Sequence, residues 1–243
     1  MLFSESGFYE ELIQSLSQID HIKPSDYPNI DLYMDQVTTF MSANLSNTKT
    51  NPEDKILTKT MINNYAKDDL LPAPIKKKYS KDHMIVLTFI YYLKNFLPIS
   101  DIHNILNPLT ERFFNQEGAC ASMDEIYEEI YGIIKNELHL ASDDVSQKIK
   151  TAELSFSEIG NTEDKDFLQT FSLICMLSYD VFLKKQMISS LVNKITTENN
   201  KIKEQENKKD SKKDAKKEQK KDSPKESKKE SKKNPKKEPP AQN

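Results

Sequence analysis

The chain has no tryptophan, only 4 glycines and only 2 cysteines in 243 residues. Each scarcity excludes something. Phosphate cradles need several glycines close together so that the backbone can approach the ligand. Gly7, Gly118, Gly132 and Gly160 are scattered, which excludes a P-loop or dinucleotide-binding enzyme. Cys120 and Cys175 form no CxxC pair. Two separate cysteines, with Glu5, Glu10 and Glu11 ahead of any lysine instead of a basic secretory leader, fit a reducing cytoplasm. Cys175 falls in an apolar helical pattern and is expected in the core. His21, His83, His103 and His139 make no HxxxH or HExxH pair, so metal-ligand spacing is absent. His83 and His103 stand third after proposed helix caps, where ordinary helix surface is expected. There is no GxSxG element. The pairs Asp68-Asp69 and Asp143-Asp144 point apart on a helix and read as solvated faces. No enzymatic activity, metal or cofactor is expected. No apolar run approaches the ~20 residues of a membrane span, so no membrane partner is expected either.

What is abundant is Leu, Ile, Lys, Glu and Asn, with few β-branched runs. That composition predicts an all-α body. The net charge of −3 hides a division. Residues 201–243 hold 17 lysines against 9 acids, whereas 1–200 hold 18 basic residues against 29 acidic ones. An acidic body with a basic tail signals an interaction tail.

Four segments are expected. Residues 1–28 form an amphipathic helix (Phe8, Leu12, Ile13, Leu16, Ile19) and a proline-broken linker. Residues 29–114 form a helical domain. Residues 122–197 form a second helical region. Residues 199–243 form a low-complexity Lys-rich tail. Its acids recur at every fourth position from Asp210 to Glu238, with Asn234 taking one turn, it buries no core, and it is expected to be disordered.

The stretch 57–106 is the most densely punctuated. A helix from about residue 29 to Leu45 (Leu32, Val37, Phe40, Met41, Leu45) and a polar loop, 46–54, precede it. Thr58 is an N-cap candidate, with Leu57 and Ile62 in hydrophobic-staple positions. Its helix should reach about Asp69, with Met61, Ile62 and Tyr65 inward. Thr60, Asn63, Asn64 and Lys67 recur at i, i+3, i+4 and i+7, forming one polar stripe. Leu70-Leu71-Pro72-Ala73-Pro74 ends it. Lys76-Lys77-Lys78 follows as a connection too short for a full β-wing. Ser80, with Tyr79 and Met84 as staple, opens the next helix (Leu87, Ile90, Leu93, Phe96). Ser100 opens another (Ile102, Ile105, Leu106, Leu109), with an end or kink at Asn107-Pro108.

Asn and Thr suit hydrogen bonding to base edges, so the stripe on this helix reads as a groove-facing surface. Lys59 adds a cation at the helix start. Lys76, Lys77, Lys78 and Lys81 stand where a connection grips phosphate. Residues 49–94 hold 9 lysines against 5 acids within an otherwise acidic body. Asp68 and Asp69 oppose that reading. The alternative is a solvated helix face and a solvated loop.

Beyond residue 121, Ser122-Met-Asp-Glu125 fits a capping box, and Ser142 is expected to open a further helix. Thr162 should cap the longest helix, ending near Ile195. Phe167, Ile174, Val181, Ile188 and Ile195 fall seven apart, as in a coiled-coil seam, although Ser178 and Lys185 interrupt the companion positions. Both a homodimer seam and a single core helix of a bundle fit this pattern.

The segment NNYAKDDLLPAP resembles the R-Y-Y-e-x-x-G-L-l-x-P segment of MerR-type regulators. Asn64-Tyr65 and Asp69-Leu70-Leu71 fall in corresponding places, with Asp69 where a glycine is usual. KKKYSKDHMIVLTFIYYLKNFLPISDIHNIL resembles their following helices. Residues 31–194 resemble an uncharacterised bacterial family, domain of unknown function 1836, through LTKTMINNYAKDDLLPAP, KKYS and FSLICMLSYDVFLKK. The resemblance implies a MerR-like helix-turn-helix and transcription regulation on double-stranded DNA, with no effector named. The alternative is a non-enzymatic protein–protein adaptor on the same scaffold. A third expectation gives the tail the main role, binding nucleic acid non-specifically or competing with it for the acidic body.

Overall fold

A computed structural model describes residues 7–17, 21–49, 51 and 53–221. Two compact units divide the chain, Met1–Glu198 and Asn199–Asn243. Among the described residues of the first, helices dominate and one two-stranded ladder is the exception, as expected of an all-α body.

Helix α1 (Phe8–Ser17) packs on the second half of a long helix, α6 (Met123–Leu154). Tyr9 and Ile149 form a small apolar cluster there with Ala152 and Leu173. Ile19 and the rest of 18–20 lie outside the described residues, as does the start of the expected N-terminal helix, 1–6.

Leu32 does not join a helix. Leu32–Tyr33 forms strand β1, and helix α2 (Met34–Leu45) begins only after it. The reason is a distant partner: β1 pairs antiparallel with β2 (Lys78–Tyr79), Leu32 opposite Tyr79 and Tyr33 opposite Lys78. The Gln36 side chain then accepts the Tyr33 N–H at 2.8 Å and starts α2. Of the polar loop that follows, 50 and Pro52 lie outside the described residues. Its two ends are tied down. The Thr48 and Tyr91 hydroxyls meet at 2.5 Å, and Lys94 Nζ donates to the Ile56 carbonyl at 2.7 Å. Burial holds the Lys94 ammonium below its usual pKa.

Helix α3 (Lys59–Lys67) starts where the cap places it, with Thr58 Oγ1 accepting the Met61 N–H at 3.1 Å. Leu57 and Ile62, the staple pair, are both buried. Helix α4 (Lys81–Leu93) is the centre of the main core, with an unbroken run from Met84 to Leu87 fully buried. Helix α5 (Ile99–Phe113) begins after Pro98, with Ser100 inside its first turn, and runs through Pro108.

Met123 and Tyr127 of α6 share the main core with Ile62, Leu87 and Ile102. Residues 115–121 therefore turn the chain within one apolar cluster. The Tyr127 hydroxyl donates to the Ile22 carbonyl at 2.6 Å. No helix opens at Ser142, because α6 is continuous. Residues 139–145 contain no glycine or proline to stop it, and the Ser142 hydroxyl donates to the Leu138 carbonyl.

Helix α7 (Thr162–Lys221) is capped by Asn161, whose Oδ1 accepts the Glu163 N–H at 3.0 Å. It passes the expected end near Ile195, so the tail is helical through Lys221. Acid and lysine side chains three or four apart support such a helix, and the first proline comes only at Pro224. The remaining tail, 222–243, lies outside the described residues.

Candidate nucleic-acid interface

Helix α3 is anchored by one face. Ile62 and Tyr65 are buried, whereas Thr60, Asn63, Asn64 and Lys67 are all exposed. The polar stripe expected from the spacing is thus presented to solvent on a helix whose rotation is fixed by its buried side. The helix closes through a left-handed residue. Asp69 has φ of 55°, and the Leu70 and Leu71 amides both return to the Tyr65 carbonyl, at 2.9 and 3.0 Å. Such a terminus favours glycine. Asp68 and Asp69 are exposed beside Lys67.

The lysine run is not an irregular connection. The Lys78 amide donates to the Ile75 carbonyl at 2.9 Å, closing a four-residue turn, and Lys76 and Lys77 have φ of 50° and 64°. Positive φ at both central positions is the signature of the type I′ turn, whose twist matches antiparallel strands. Ile75 and Lys78 bridge, and Lys78 continues into β2. The lysines therefore cap a very short β-ribbon, with Lys76 and Lys77 exposed at its tip. Sequence reading missed the ribbon because asparagine and glycine are the usual signals for this turn, and neither is present.

Lys78 turns inward, its ammonium 5.4 Å from the centre of the Tyr33 ring. Lys59 pairs with Asp35, in the first turn of α2. Tyr33 lies opposite Lys78 and Asp35 lies two residues on. The base of the ribbon and the start of α3 therefore both abut the beginning of α2. Lys81 is engaged elsewhere. Its Nζ lies 2.7 Å from Asp124 in the first turn of α6, and its side chain is mostly covered, so it is a tie between α4 and α6. Of the nine residues expected at the interface, six are free side chains at the surface: Thr60, Asn63, Asn64, Lys67, Lys76 and Lys77. Lys59, Lys78 and Lys81 have partners within the chain.

His83 departs from expectation. It is 1% exposed, not on the helix surface. Its Nδ1 accepts the Ser80 N–H at 3.0 Å, taking the capping-box place normally held by a glutamate or glutamine. The ring sits edge-on to Tyr79 and Phe114. Burial lowers its pKa, opposed by the Ala73 carbonyl and the charges of Asp82 and Asp31.

On α7 the seam residues Phe167, Ile174 and Val181 are 67%, 55% and 65% exposed, and Ile188 and Ile195 are only partly covered. Phe171, Tyr179 and Phe182 widen the exposed apolar face. Cys175, expected in the core, is exposed too, because the helix turns its Leu173 side inward. The inner face is specific: Gln169 donates to the Glu153 and Ser155 carbonyls, and Asp180 lies 2.8 Å from Lys148. Contrary to the count of apolar runs, one stretch of this helix, Thr162–Ile202, is long and apolar enough to cross a membrane by length and composition. No group of three or more metal-ligating side chains occurs among the described residues.

Residues 22–130 match the family model described as domain of unknown function (DUF1836). The match ends within the first turns of α6, so the α7 segment FSLICMLSYDVFLKK, where the resemblance was expected to continue, lies outside it. No curated protein and no solved structure matches the chain.

Proposed function

We propose that the protein binds double-stranded DNA as a MerR-like helix-turn-helix transcription regulator and does so as a homodimer. Helix α3 enters the major groove with Thr60, Asn63 and Asn64, residue types that can pair with base edges. Lys67 and the ribbon tip, Lys76 and Lys77, lie on flanking phosphates, which position the helix without reading sequence. The observation that carries this reading is the tip itself. Two adjacent lysines occupy left-handed backbone, a conformation that costs roughly 1 kcal/mol or more per non-glycine residue. A turn selected for stability alone would hold asparagine and glycine. Lysine there trades stability for exposed charge.

The homodimer rests on α7. Its outer face leaves Phe167, Phe171, Ile174 and Val181 half or more exposed, while its inner face is held by Gln169 and Asp180. A helix docked on its own protein along one side and apolar along the other suits a second copy better than surrounding lipid.

The test is binding of full-length parent and Lys76→Asn/Lys77→Gly to mixed genomic DNA fragments at several salt concentrations. Loss of two phosphate contacts should flatten the slope of log K against log salt by about 1.8, while the same variant gains thermal stability. Equal binding by parent and variant defeats the ribbon's role.

A second reading, a protein–protein adaptor on the same scaffold, is favoured by a specific observation. Asp68 and Asp69 border the stripe, and Lys59 and Lys81 are neutralised internally. That reading predicts no salt-dependent DNA binding at any concentration, with self-association through α7 intact.

A further inference from the structure

A cavity of about 680 Å³ opens between α4, α5 and α6. Its walls are Phe89 and Leu93 from α4, Ile105 and Leu109 from α5, and Ile130 and Ile134 from α6. We infer that this cavity is a binding site for a neutral, apolar small molecule of aromatic or hydrocarbon character.

The volume lies within the ~300–1,000 Å³ typical of sites that enclose a drug-sized ligand. The cavity is a cleft open to solvent on one side and bounded on the other by a tightly filled core. Its location is informative. Met84, Val86 and Leu87 on α4 are fully buried, and the space appears only where the same helix turns Phe89 and Leu93 toward α5 and α6.

The wall chemistry sets the ligand class. Among the described residues, no Asp, Glu, Lys or Arg lines the cavity, and its polar side chains there are His21, Asn95, Tyr92 and Tyr127. The Tyr127 hydroxyl is directed at the Ile22 carbonyl, and the His21 ring stacks on Tyr92 at 4.3 Å between centroids. Both present ring surface. A charged ligand would lose part of its hydration without gaining a counter-ion. A flat aromatic or a hydrocarbon chain loses nothing comparable and covers apolar wall. Ile134 and Phe96 remain 37% and 42% exposed at the rim, which leaves an entrance.

This inference does not depend on DNA binding. If the DNA reading also holds, α4 links the two sites, since its start caps the lysine ribbon and its end forms the cavity wall.

N-phenyl-1-naphthylamine, a neutral apolar fluorophore, is the probe. Titrated into full-length protein, it should brighten saturably, with one site per chain. Leu109→Trp, which fills the cavity, and Ile134→Glu, which charges a half-exposed rim position without touching the core, should each weaken binding at least tenfold. Phe167→Glu/Phe171→Glu on the exposed α7 face should leave it unchanged. A signal that does not saturate, or that survives in a folded Ile134→Glu variant, overturns the inference. So does a signal lost in the α7 variant alone. Should Leu109→Trp fail to fold, Ile134→Glu decides. Probe binding without any DNA binding sustains this site and removes the regulator reading separately.

Discussion

At Asp69 an L-residue holds φ of 55° with its side chain in solvent. It closes α3 at the position where glycine meets no steric penalty. Asp69→Gly should therefore stabilise the fold by about 0.5–1 kcal/mol, seen as a higher Tm. The same change removes a negative charge beside Lys67, so DNA affinity should rise. A higher Tm with unchanged affinity would place Asp69 away from the DNA. His83 makes the opposite kind of statement. Its folded pKa lies below the ordinary value because the ring is buried. The unfolded chain takes up a proton as pH falls through about 6.5, and the folded chain takes it up only at lower pH. The His83 contribution is thus present above that pH and is lost below it, at up to ~1.4 kcal/mol per pH unit. His83→Gln keeps an acceptor for the Ser80 N–H without a titrating ring. Its Tm should fall less than the parent's between pH 7 and 5, and parallel curves would refute the assignment.

At the scale of elements, the two-strand ribbon and α7 carry the most consequence. The turn at 75–78 stores strain in its two central lysines. Lys76→Asn/Lys77→Gly should raise stability by about 1–2 kcal/mol, because both residues then favour a type I′ turn. Urea unfolding measures this without DNA, so the structural and binding effects of one variant can be read apart. Helix α7 shows the reverse arrangement, stable inward contacts with an unsatisfied outer face. Burying a large apolar side chain is worth ~1.5–3 kcal/mol, so several per copy suffice to drive association. Phe167→Glu/Ile174→Glu should give a monomer by light scattering with unchanged helix content. A parent that is already monomeric at tens of micromolar would remove the two-fold site from the DNA reading. The sequence declared both possibilities for this helix, because a seven-residue apolar repeat is equally a core stripe and a seam. Only the placement of Leu173, Gln169 and Asp180 inward leaves Phe167, Ile174 and Val181 outward.

At the scale of the molecule, the net charge of −3 combines an acidic body with a basic tail. Both apolar clusters lie within the first unit, and the last member of the main one is Val192. A chain ending at Glu198 should therefore unfold within about 2 °C of the full chain. Its DNA affinity then isolates the tail. Tighter binding after truncation marks a tail that competes with DNA for the body, and weaker binding marks one that grips DNA.

Local chemistry alone determined much of this protein. Thr58 with its staple, Ser80 with Tyr79 and Met84, and Ser122 with Glu125 act within one helical turn, so their cues are readable in order along the chain. The polar stripe on α3 was readable for the same reason. Contacts between distant residues decided the rest. Leu32 became a strand because Tyr79 lay opposite. His83 was buried by Tyr79 and Phe114, and Lys81 was captured by Asp124. The lysine run folded into a ribbon tip because β1 held its far end. The cavity between α4, α5 and α6 has no sequence signature at all. It is made by the spaces that three helices leave when their crossing is fixed by other side chains, and periodicity reports which face is apolar, never how closely two such faces meet.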